Sequence, residues 1–141
     1  GDGECNEGSI WESALFAGHH KLNNLVWLID RNHMQCSDFT ENCVSLESLE
    51  DKITAFGWRV RRCNGNDCTD IIDKLSDIRS RVTREPLCLI CDTVKGKGLP
   101  KVENDLFAHH YIPKLDEIDG LIEIFRSEWH EQTFQATLEV E

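Results

Sequence analysis

The sequence predicts an α/β fold, with a mainly parallel sheet between two layers of helices. Segments with apolar residues at helical spacing alternate along the chain with short, nearly continuous apolar runs. Such runs are typical of strands that are buried on both faces, as in a parallel sheet. The predicted order is helix, strand, helix, strand, helix, strand, loop and helix, which favours right-handed crossovers between parallel strands. We therefore expect a three-layer α/β/α arrangement.

The first half of the chain is expected to contain a helix, a strand, a loop and a second helix. Helical spacing predicts the first helix over residues 8–22, and the run NLVWLIDR predicts a buried strand over residues 24–31. The stretch NHMQCSDFTENC is polar and has no period, so it is predicted to be a loop. A second helix is predicted over residues 46–56, with Gly57 at its C-terminal cap.

The second half is expected to contain two more strands and two more helices. Strands are predicted at WRVRRC, residues 58–63, and at PLCLICDT, residues 86–93. The clearest amphipathic pattern predicts a helix over residues 71–82. A loop with two glycines follows the last strand, and a final helix is expected to begin near Lys114.

Composition limits the possible partners. The 141 residues allow one ordinary domain, and no apolar run reaches the length of about 18 residues that a membrane span needs. The formal net charge of -11 makes nucleic acid and anionic membranes poor partners. The N-terminus shows no basic and apolar targeting segment, so we expect a cytoplasmic protein.

The seven cysteines do not form a recognisable disulfide framework, because their number is odd and their spacing is irregular. The single CxxC, from Cys88 to Cys91, falls in a predicted strand, where residues i and i+3 face opposite sides. We expect buried, free thiols with a structural role. Zinc binding and redox chemistry are the alternatives.

Polar residues follow the predicted strand ends, where ligands bind in parallel α/β sheets. The GDG at the start of the chain is expected to follow the end of a strand that is not in this sequence, and Asp2 lies within it; Asn32 follows the end of the predicted strand over residues 24–31. If those strands are neighbours, both side chains project into one crevice. The Asp2 carboxylate, the Asn32 amide oxygen and one main-chain carbonyl, most simply that of Met34, would be oxygen ligands of the kind that Mg²⁺ prefers. The remaining ligand positions would be free for a diphosphate. Taken singly, Asp2 and Asn32 are also compatible with turn and capping roles.

A GDG followed about thirty residues later by an Asn at a strand end resembles the thiamine diphosphate-binding motif. The segments GDGECNEGSIWE, NLVWLIDRNHMQ, LEDKITAFGW and TVKGKG are similar to the transketolase family. They resemble especially the version in which the diphosphate-binding part is a separate subunit. The similarity runs from Gly1 to about Pro113. It implies a thiamine diphosphate-binding fold in which residues 1–125 form the diphosphate- and metal-binding part, incomplete at its N-terminus, and residues 126–141 form an acidic tail or helical extension.

The resemblance implies a set of cofactor-binding residues. Asp2 and Asn32 would hold Mg²⁺ or Ca²⁺ through side-chain oxygens, and Met34 would do so through its carbonyl. Gly3 would donate its backbone N–H to the diphosphate of thiamine diphosphate.

The resemblance also implies catalytic residues. Glu7 and Glu12 fall at positions that take part in contacts and proton relays between the two active sites of a dimer. An acidic helix N-terminus is the alternative explanation for both. His109 matches a histidine that touches the diphosphate and the substrate, and its ordinary pKa suits acid–base work near neutral pH.

Three positions depart from the family pattern. The tripeptide Ala108–His110 replaces a Trp-His-Gly, Asn66 stands where a histidine is common, and Ser37-Asp38 replaces an Asp-Gly. These departures lie on the substrate side of the expected site, whereas the metal motif is intact.

The implied activity is transfer of a two-carbon ketol unit from a ketose or ketose phosphate to an aldehyde. A C-terminal transketolase-like subunit or domain would supply the glutamate that contacts the pyrimidine ring of the cofactor. We therefore expect a homo- or hetero-oligomer, and a chain that is inactive and poorly stable by itself. The alternatives are a 2-oxoacid dehydrogenase first component, a deoxyxylulose-phosphate synthase, a Mg²⁺-binding receiver-like domain and a non-catalytic scaffold subunit.

Overall fold

The chain divides into two compact units, Gly1–Thr93 and Val94–Glu141. The computed structural model describes residues 1–36, 38–78 and 83–127. The first unit contains the parallel sheet, and the described part of the second unit contains turns and helices. The α/β fold with a mainly parallel sheet is thereby confirmed.

The first unit begins with a 3-10 helix and then alternates helices with strands. The bounds in chain order are Asp2–Asn6 for the 3-10 helix, Gly8–His19 for α1, Val26–Arg31 for β1, Met34–Gln35 for β2, Asp38–Phe39 for β3, Thr40–Cys43 for α2, Leu49–Ala55 for α3, Arg59–Asn64 for β4, Cys68–Leu75 for α4 and Leu87–Asp92 for β5.

Among the described residues, the main sheet has three strands in the order β1-β5-β4, and both neighbouring pairs are parallel. Ile90 of β5 is in register with Ile29 of β1 and Arg62 of β4. Residues 87–91 of the central strand are all buried, as its continuous apolar sequence predicted. The short strands β2 and β3 form a separate antiparallel pair.

Helices cover both faces of the sheet in the first unit. On one face, Ile29, Cys88 and Ile90 share a core with residues of α1 and α3. On the other face, Leu89 and Cys91 belong to a second cluster, against which α4 packs. The alternation of side chains along a strand explains why consecutive residues of β5 join different clusters.

The prediction of buried thiols is confirmed for the CxxC cysteines, whereas Cys36, Cys43 and Cys68 are exposed. Cys88 and Cys91 are buried and lie in the cores on opposite faces of the sheet. All seven cysteines fall among the described residues, and all are free thiols. Burial raises the pKa of Cys88 to about 12, so this thiol stays protonated and unreactive near neutral pH.

The predicted bounds of the first two helices were wrong at one end each. The first helix ends at His19 instead of residue 22, because the chain turns at Lys21, whose φ is 51°. The second ends close to the predicted position but begins at Leu49 instead of residue 46, since the Ser48 side chain accepts from Asp51 N and caps it there. Gly57, with a φ of 86°, donates its N–H to Thr54 O, which confirms its predicted capping role.

The predicted loop after β1 is also corrected, since it contains the β2–β3 hairpin and α2. Elements of two to four residues are too short to leave a readable period in the sequence. The predicted amphipathic helix begins earlier, at Cys68, where Asp67 caps it by accepting from Thr69 N, and it ends at Leu75, before the predicted end at residue 82. Residues 79–82 of that prediction lie outside the described residues.

The described part of the second unit contains the loop after the last strand and the final helix. Asn104 N donates to Lys95 O, and Gly98 N donates to the Glu103 carboxylate, so the loop is folded back on itself. Short 3-10 helices occupy Ala108–His110 and Leu115–Glu117, and residues 118–127 continue as a helix, close to the predicted start. Most of the predicted acidic tail lies outside the described residues. Within the described ranges, no helix combines the length and apolar character needed to cross a membrane.

Candidate functional site

The Asp2 carboxylate is fully buried near the carboxyl end of β1. Its Oδ2 accepts from Arg31 Nη1 at 2.6 Å, from His33 N at 2.9 Å and from Thr40 Oγ1 at 3.2 Å. Its Oδ1 accepts from Gly3 N at 2.9 Å. Each carboxylate oxygen offers about two lone-pair sites. Within the part of the chain that the structure describes, Oδ2 is therefore saturated and Oδ1 keeps an acceptor position.

The turn over residues 32–34 is hydrogen-bonded directly to this carboxylate. Asn32 Oδ1 accepts from Met34 N at 2.9 Å, and His33 lies in the left-handed region with a φ of 64°. His33 donates its N–H to Asp2, while its carbonyl accepts from Thr40 N. Asp2 thus contacts the segment after β1, whereas the prediction that the Asn32 side chain projects into the same crevice stays a prediction. The contact runs through the His33 amide.

Gly3 lies against β2 with no room for a side chain. A Cβ on Gly3 would lie 2.4 Å from the Cβ of Gln35. The Gln35 Oε1 in turn accepts from Asn6 Nδ2 at 2.7 Å. This hydrogen bond holds the C-terminal end of the 3-10 helix against the same strand. The Gly3 N–H donates to Asp2 Oδ1, and its role toward a diphosphate stays a prediction.

Arg31 belongs to the site but was not predicted from the sequence. Its side chain has no exposed surface, and its guanidinium pairs with Asp2, Glu41 and Glu47, each at 2.6 or 2.7 Å. A signal was present, because Arg31 lies two residues after buried Ile29 in β1 and therefore shares its inward face. A charge on that face requires partners from other elements.

This pairing changes the pKa of two carboxyl groups. A hydrogen bond from the Ser45 hydroxyl, together with the Arg31 guanidinium and Leu46 N, lowers the pKa of Glu41 to about 2. The Arg31 guanidinium holds the pKa of Glu47 below its ordinary value. Both carboxyl groups are therefore ionised near neutral pH.

The donor set fits a hard divalent cation. The remaining acceptor position of Asp2 Oδ1, the Asn32 amide and the Met34 carbonyl are oxygen donors of the kind that Mg²⁺ and Ca²⁺ take. Arg31 and its three carboxylate partners carry a formal net charge of −2, which favours a divalent cation nearby. Among the described residues, no three His, Cys, Asp or Glu side chains are grouped to hold a metal ion. A cation here would therefore depend on the amide and carbonyl oxygens.

Glu7 lies at the start of α1, Glu12 lies within this helix, and both are exposed. Glu7 is the N-cap residue, but its side chain makes no capping hydrogen bond. Across residues 1–36, 38–78 and 83–127, neither Glu7 nor Glu12 has a side-chain hydrogen bond or ion pair. Their roles between active sites stay predictions.

His109 lies in the second unit, beside Lys95. The Lys95 ammonium donates to Leu106 O and lies 3.3 Å from His109 Nδ1. Loss of solvation lowers the pKa of His109, and the charges of His110 and Lys95 add to this effect. The neutral ring is therefore the main form near pH 7.

The positions that depart from the family pattern stabilise local turns where they are described. Asp38 Oδ1 accepts from Phe39 N and from Asn42 Nδ2 at 3.0 Å. Asn66 donates its backbone N–H to Asn64 Oδ1 at 3.1 Å. Ser37 lies outside the described residues.

Comparison with known proteins identifies similar chains. Residues 1–141 match the family described as transketolase, thiamine diphosphate binding domain. An apulose-4-phosphate transketolase subunit of Phocaeicola vulgatus is 44% identical over 122 residues, which cover 86% of this chain and 43% of that protein. 6-deoxy-6-sulfo-D-fructose transketolase subunit SqwG of Clostridium sp. is 39% identical over 110 residues, with 78% and 40% covered. The chain thus spans less than half the length of these relatives.

Solved structures show the same fold. A transketolase from Campylobacter jejuni superposes with a TM-score of 0.63 at 21% identity, covering 98% of this chain and 25% of that one. A Pichia stipitis transketolase in complex with xylulose-5-phosphate gives a TM-score of 0.65 at 25% identity, covering 72% and 15%. At this identity the first match supports the fold alone.

Proposed function

The chain belongs to the transketolase family through its thiamine diphosphate-binding domain, and from this membership we propose that Asp2, Asn32 and Met34 hold a divalent cation that anchors the cofactor's diphosphate. The observation that carries the proposal is the buried Asp2 carboxylate, which is joined to the 32–34 turn through His33 N. An anchor needs a fixed oxygen donor, and the hydrogen bonds to Oδ2 hold this carboxylate in one orientation.

We propose that the assembled protein transfers a two-carbon ketol unit from a ketose, or a ketose phosphate, to an aldehyde. Thiamine diphosphate, when bound, supplies the carbanion stabilisation that this chemistry requires. Asp2 and the 32–34 turn would bind and orient the diphosphate. His109, a largely neutral imidazole near pH 7, would hold or donate a proton as the acid–base group. The names of the two relatives from Phocaeicola vulgatus and Clostridium sp. support a sugar or sugar phosphate as substrate.

A second subunit or domain is part of the proposal. Both relatives above are named as separate subunits of a transketolase. We propose that the partner supplies the glutamate for the pyrimidine ring and that the cofactor binds between the two. An oligomer of such pairs is therefore the expected catalytic form.

A titration of the assembled protein tests the proposal. Thiamine diphosphate is added in the presence of Mg²⁺, Ca²⁺ or EDTA, and binding is followed by calorimetry and by the fluorescence of the four tryptophans. We expect saturable binding that EDTA removes, together with ketol transfer in a coupled assay. Binding without transfer contradicts the catalytic part and favours a scaffold role. Absence of binding overturns the cofactor assignment.

A further inference from the structure

Arg31 lies at the centre of a buried network of carboxylates next to the proposed cation site. We infer that Arg31 is a positioning residue for this site: it fixes the Asp2 carboxylate so that Oδ1 is the oxygen left for the cation. This inference rests on the proposed function. Arg31 would act through the geometry of Asp2, and it is not itself expected to touch cofactor or substrate.

Arg31 is the strongest of the groups that orient the Asp2 carboxylate. The donors to Asp2 Oδ2 come from three different places, namely Arg31 at the end of β1, the backbone of His33 and the hydroxyl of Thr40 at the start of α2. Arg31 is the charged donor of the three, and its distance of 2.6 Å is the shortest. Charge-assisted hydrogen bonds are about twice as strong as neutral ones. Arg31 therefore contributes most to holding Oδ2 in place.

Arg31 is in turn held by two glutamates. Its Nη2 donates to Glu41 and to Glu47, each at 2.7 Å, so the guanidinium is also held through a nitrogen that does not contact Asp2. Glu41 is itself held, because it accepts from the Ser45 hydroxyl at 2.7 Å and from Leu46 N at 3.2 Å. The segment between α2 and α3 is thus folded around the guanidinium. The orientation of Asp2 depends on this segment through Arg31.

The arrangement is chemically specific for arginine. A guanidinium is planar and presents five N–H donors, so it can bind carboxylates in several directions at once. An ammonium at the same position has three donors on a flexible stem and could satisfy only part of this set. Outer-shell partners that orient a metal ligand typically change metal affinity about 10–100-fold when they are removed. This range sets the size of the expected effect.

The experiment measures the Mg²⁺ concentration that half-saturates thiamine diphosphate binding in the assembled protein. The variants are Arg31→Met, Arg31→Lys and the control Arg61→Met. Arg61 also pairs with a carboxylate, that of Asp77, but its side chain is 29% exposed. We expect Arg31→Met to raise the half-saturating concentration about 10–100-fold. Arg31→Lys is expected to recover part of the loss, and Arg61→Met to leave the value unchanged.

The unfolding temperature of each variant, measured without cofactor or metal, separates positioning from a structural role. If Arg31→Met lowers the unfolding temperature but needs no more Mg²⁺ than the wild type, Arg31 is structural and the inference is overturned. A lower Mg²⁺ requirement would mean that Arg31 competes with the cation for Asp2, which also overturns it. Failure of the wild type to bind the cofactor removes the proposed function, and the inference with it.

A milder change covers the case in which Arg31→Met does not fold. Glu47→Gln keeps an oxygen acceptor for the guanidinium but removes one charge from its outer side. The side chain of Glu47 is 40% exposed, so the variant is expected to fold. We expect a several-fold increase in the Mg²⁺ requirement. An unchanged requirement in a folded Glu47→Gln protein contradicts the inference.

Discussion

Arg31 Nη1 donates to Asp2 Oδ2 over 2.6 Å, and neither side chain has exposed surface. The two residues come from the end of β1 and from the 3-10 helix at Asp2–Asn6. Breaking a buried ion pair by removing one partner typically costs about 3–5 kcal/mol, because the other charge stays buried. Changes at Asp2 should therefore affect both the cation site and the stability of the fold.

Asp2→Ala is expected to abolish Mg²⁺-dependent binding of thiamine diphosphate in the assembled protein. Asp2 is the charged ligand of the proposed set. Without the cation, the negative diphosphate would be repelled by a chain of net charge -11. Calorimetric titration measures the effect. Asn32→Ala should act less completely, since it removes an uncharged donor. Unchanged cofactor affinity in a folded Asp2→Ala protein would rule out the metal assignment.

Gly3→Ala is expected to destabilise the first unit by about 1–3 kcal/mol, as overpacking does in a close-packed interior. The added Cβ would lie 2.4 Å from the Gln35 Cβ, so either the 3-10 helix that carries Asp2 or the β2 strand must shift. Urea unfolding measures the loss, and a weaker affinity for Mg²⁺ and cofactor should accompany it.

Gly8→Ala is the matched control for this prediction. Gly8 begins α1, and a Cβ there would meet nothing within 4 Å. Its stability should be unchanged or slightly higher, because alanine reduces the freedom of the unfolded chain. Equal effects of the two substitutions would show that crowding against Gln35 is not the cause.

His109→Ala is expected to lower turnover far more than it lowers cofactor binding. General acid–base groups contribute about 10²–10⁴-fold in rate, whereas a diphosphate held by a metal should tolerate the loss of one hydrogen bond. His110→Ala is the neighbouring control, since the two rings lie 4.0 Å apart. Equal losses in turnover and affinity would make His109 a binding residue. Unchanged turnover would move the acid–base role to His110 or to another group.

The contribution of Glu41 to stability should disappear at acidic pH. Its pKa falls from 4.5 to about 2 on folding, through the Ser45 hydroxyl, Arg31 and Leu46 N. A carboxyl group with a lowered folded pKa stabilises the native state fully above the unfolded pKa. The contribution is therefore complete above about pH 4.5 and is lost as the pH falls toward 2. Urea unfolding of the wild type and of Glu41→Gln between pH 6 and pH 3 should show a difference that shrinks with acidification. A pH-independent difference would contradict the assignment.

Local sequence predicted the three strands of the main sheet, but not every helix end and not the β2–β3 hairpin. The run LCLICD predicted β5 because a central parallel strand is buried on both faces, and every residue from Leu87 to Cys91 is buried. The end of α1 was missed because it depends on a left-handed backbone conformation at Lys21. Lysine rarely adopts this conformation, and no sequence pattern indicates it. The β2–β3 hairpin was missed because its pairs, such as Met34 with Phe39, involve only two residues per strand.

The sequence by itself predicted that Asp2 and the segment after β1 lie close together, because the GDG and the later Asn stand in a spacing that resembles the thiamine diphosphate-binding motif. The hydrogen bond from His33 N to Asp2 shows this proximity. Tertiary structure alone decided which groups orient that carboxylate. Arg31, Thr40, Glu41 and Glu47 meet there because β1, α2 and the segment before α3 converge on one buried point. A buried charge must find its partners wherever the fold brings them. Their identity therefore depends on three-dimensional packing and leaves no periodic pattern along the chain.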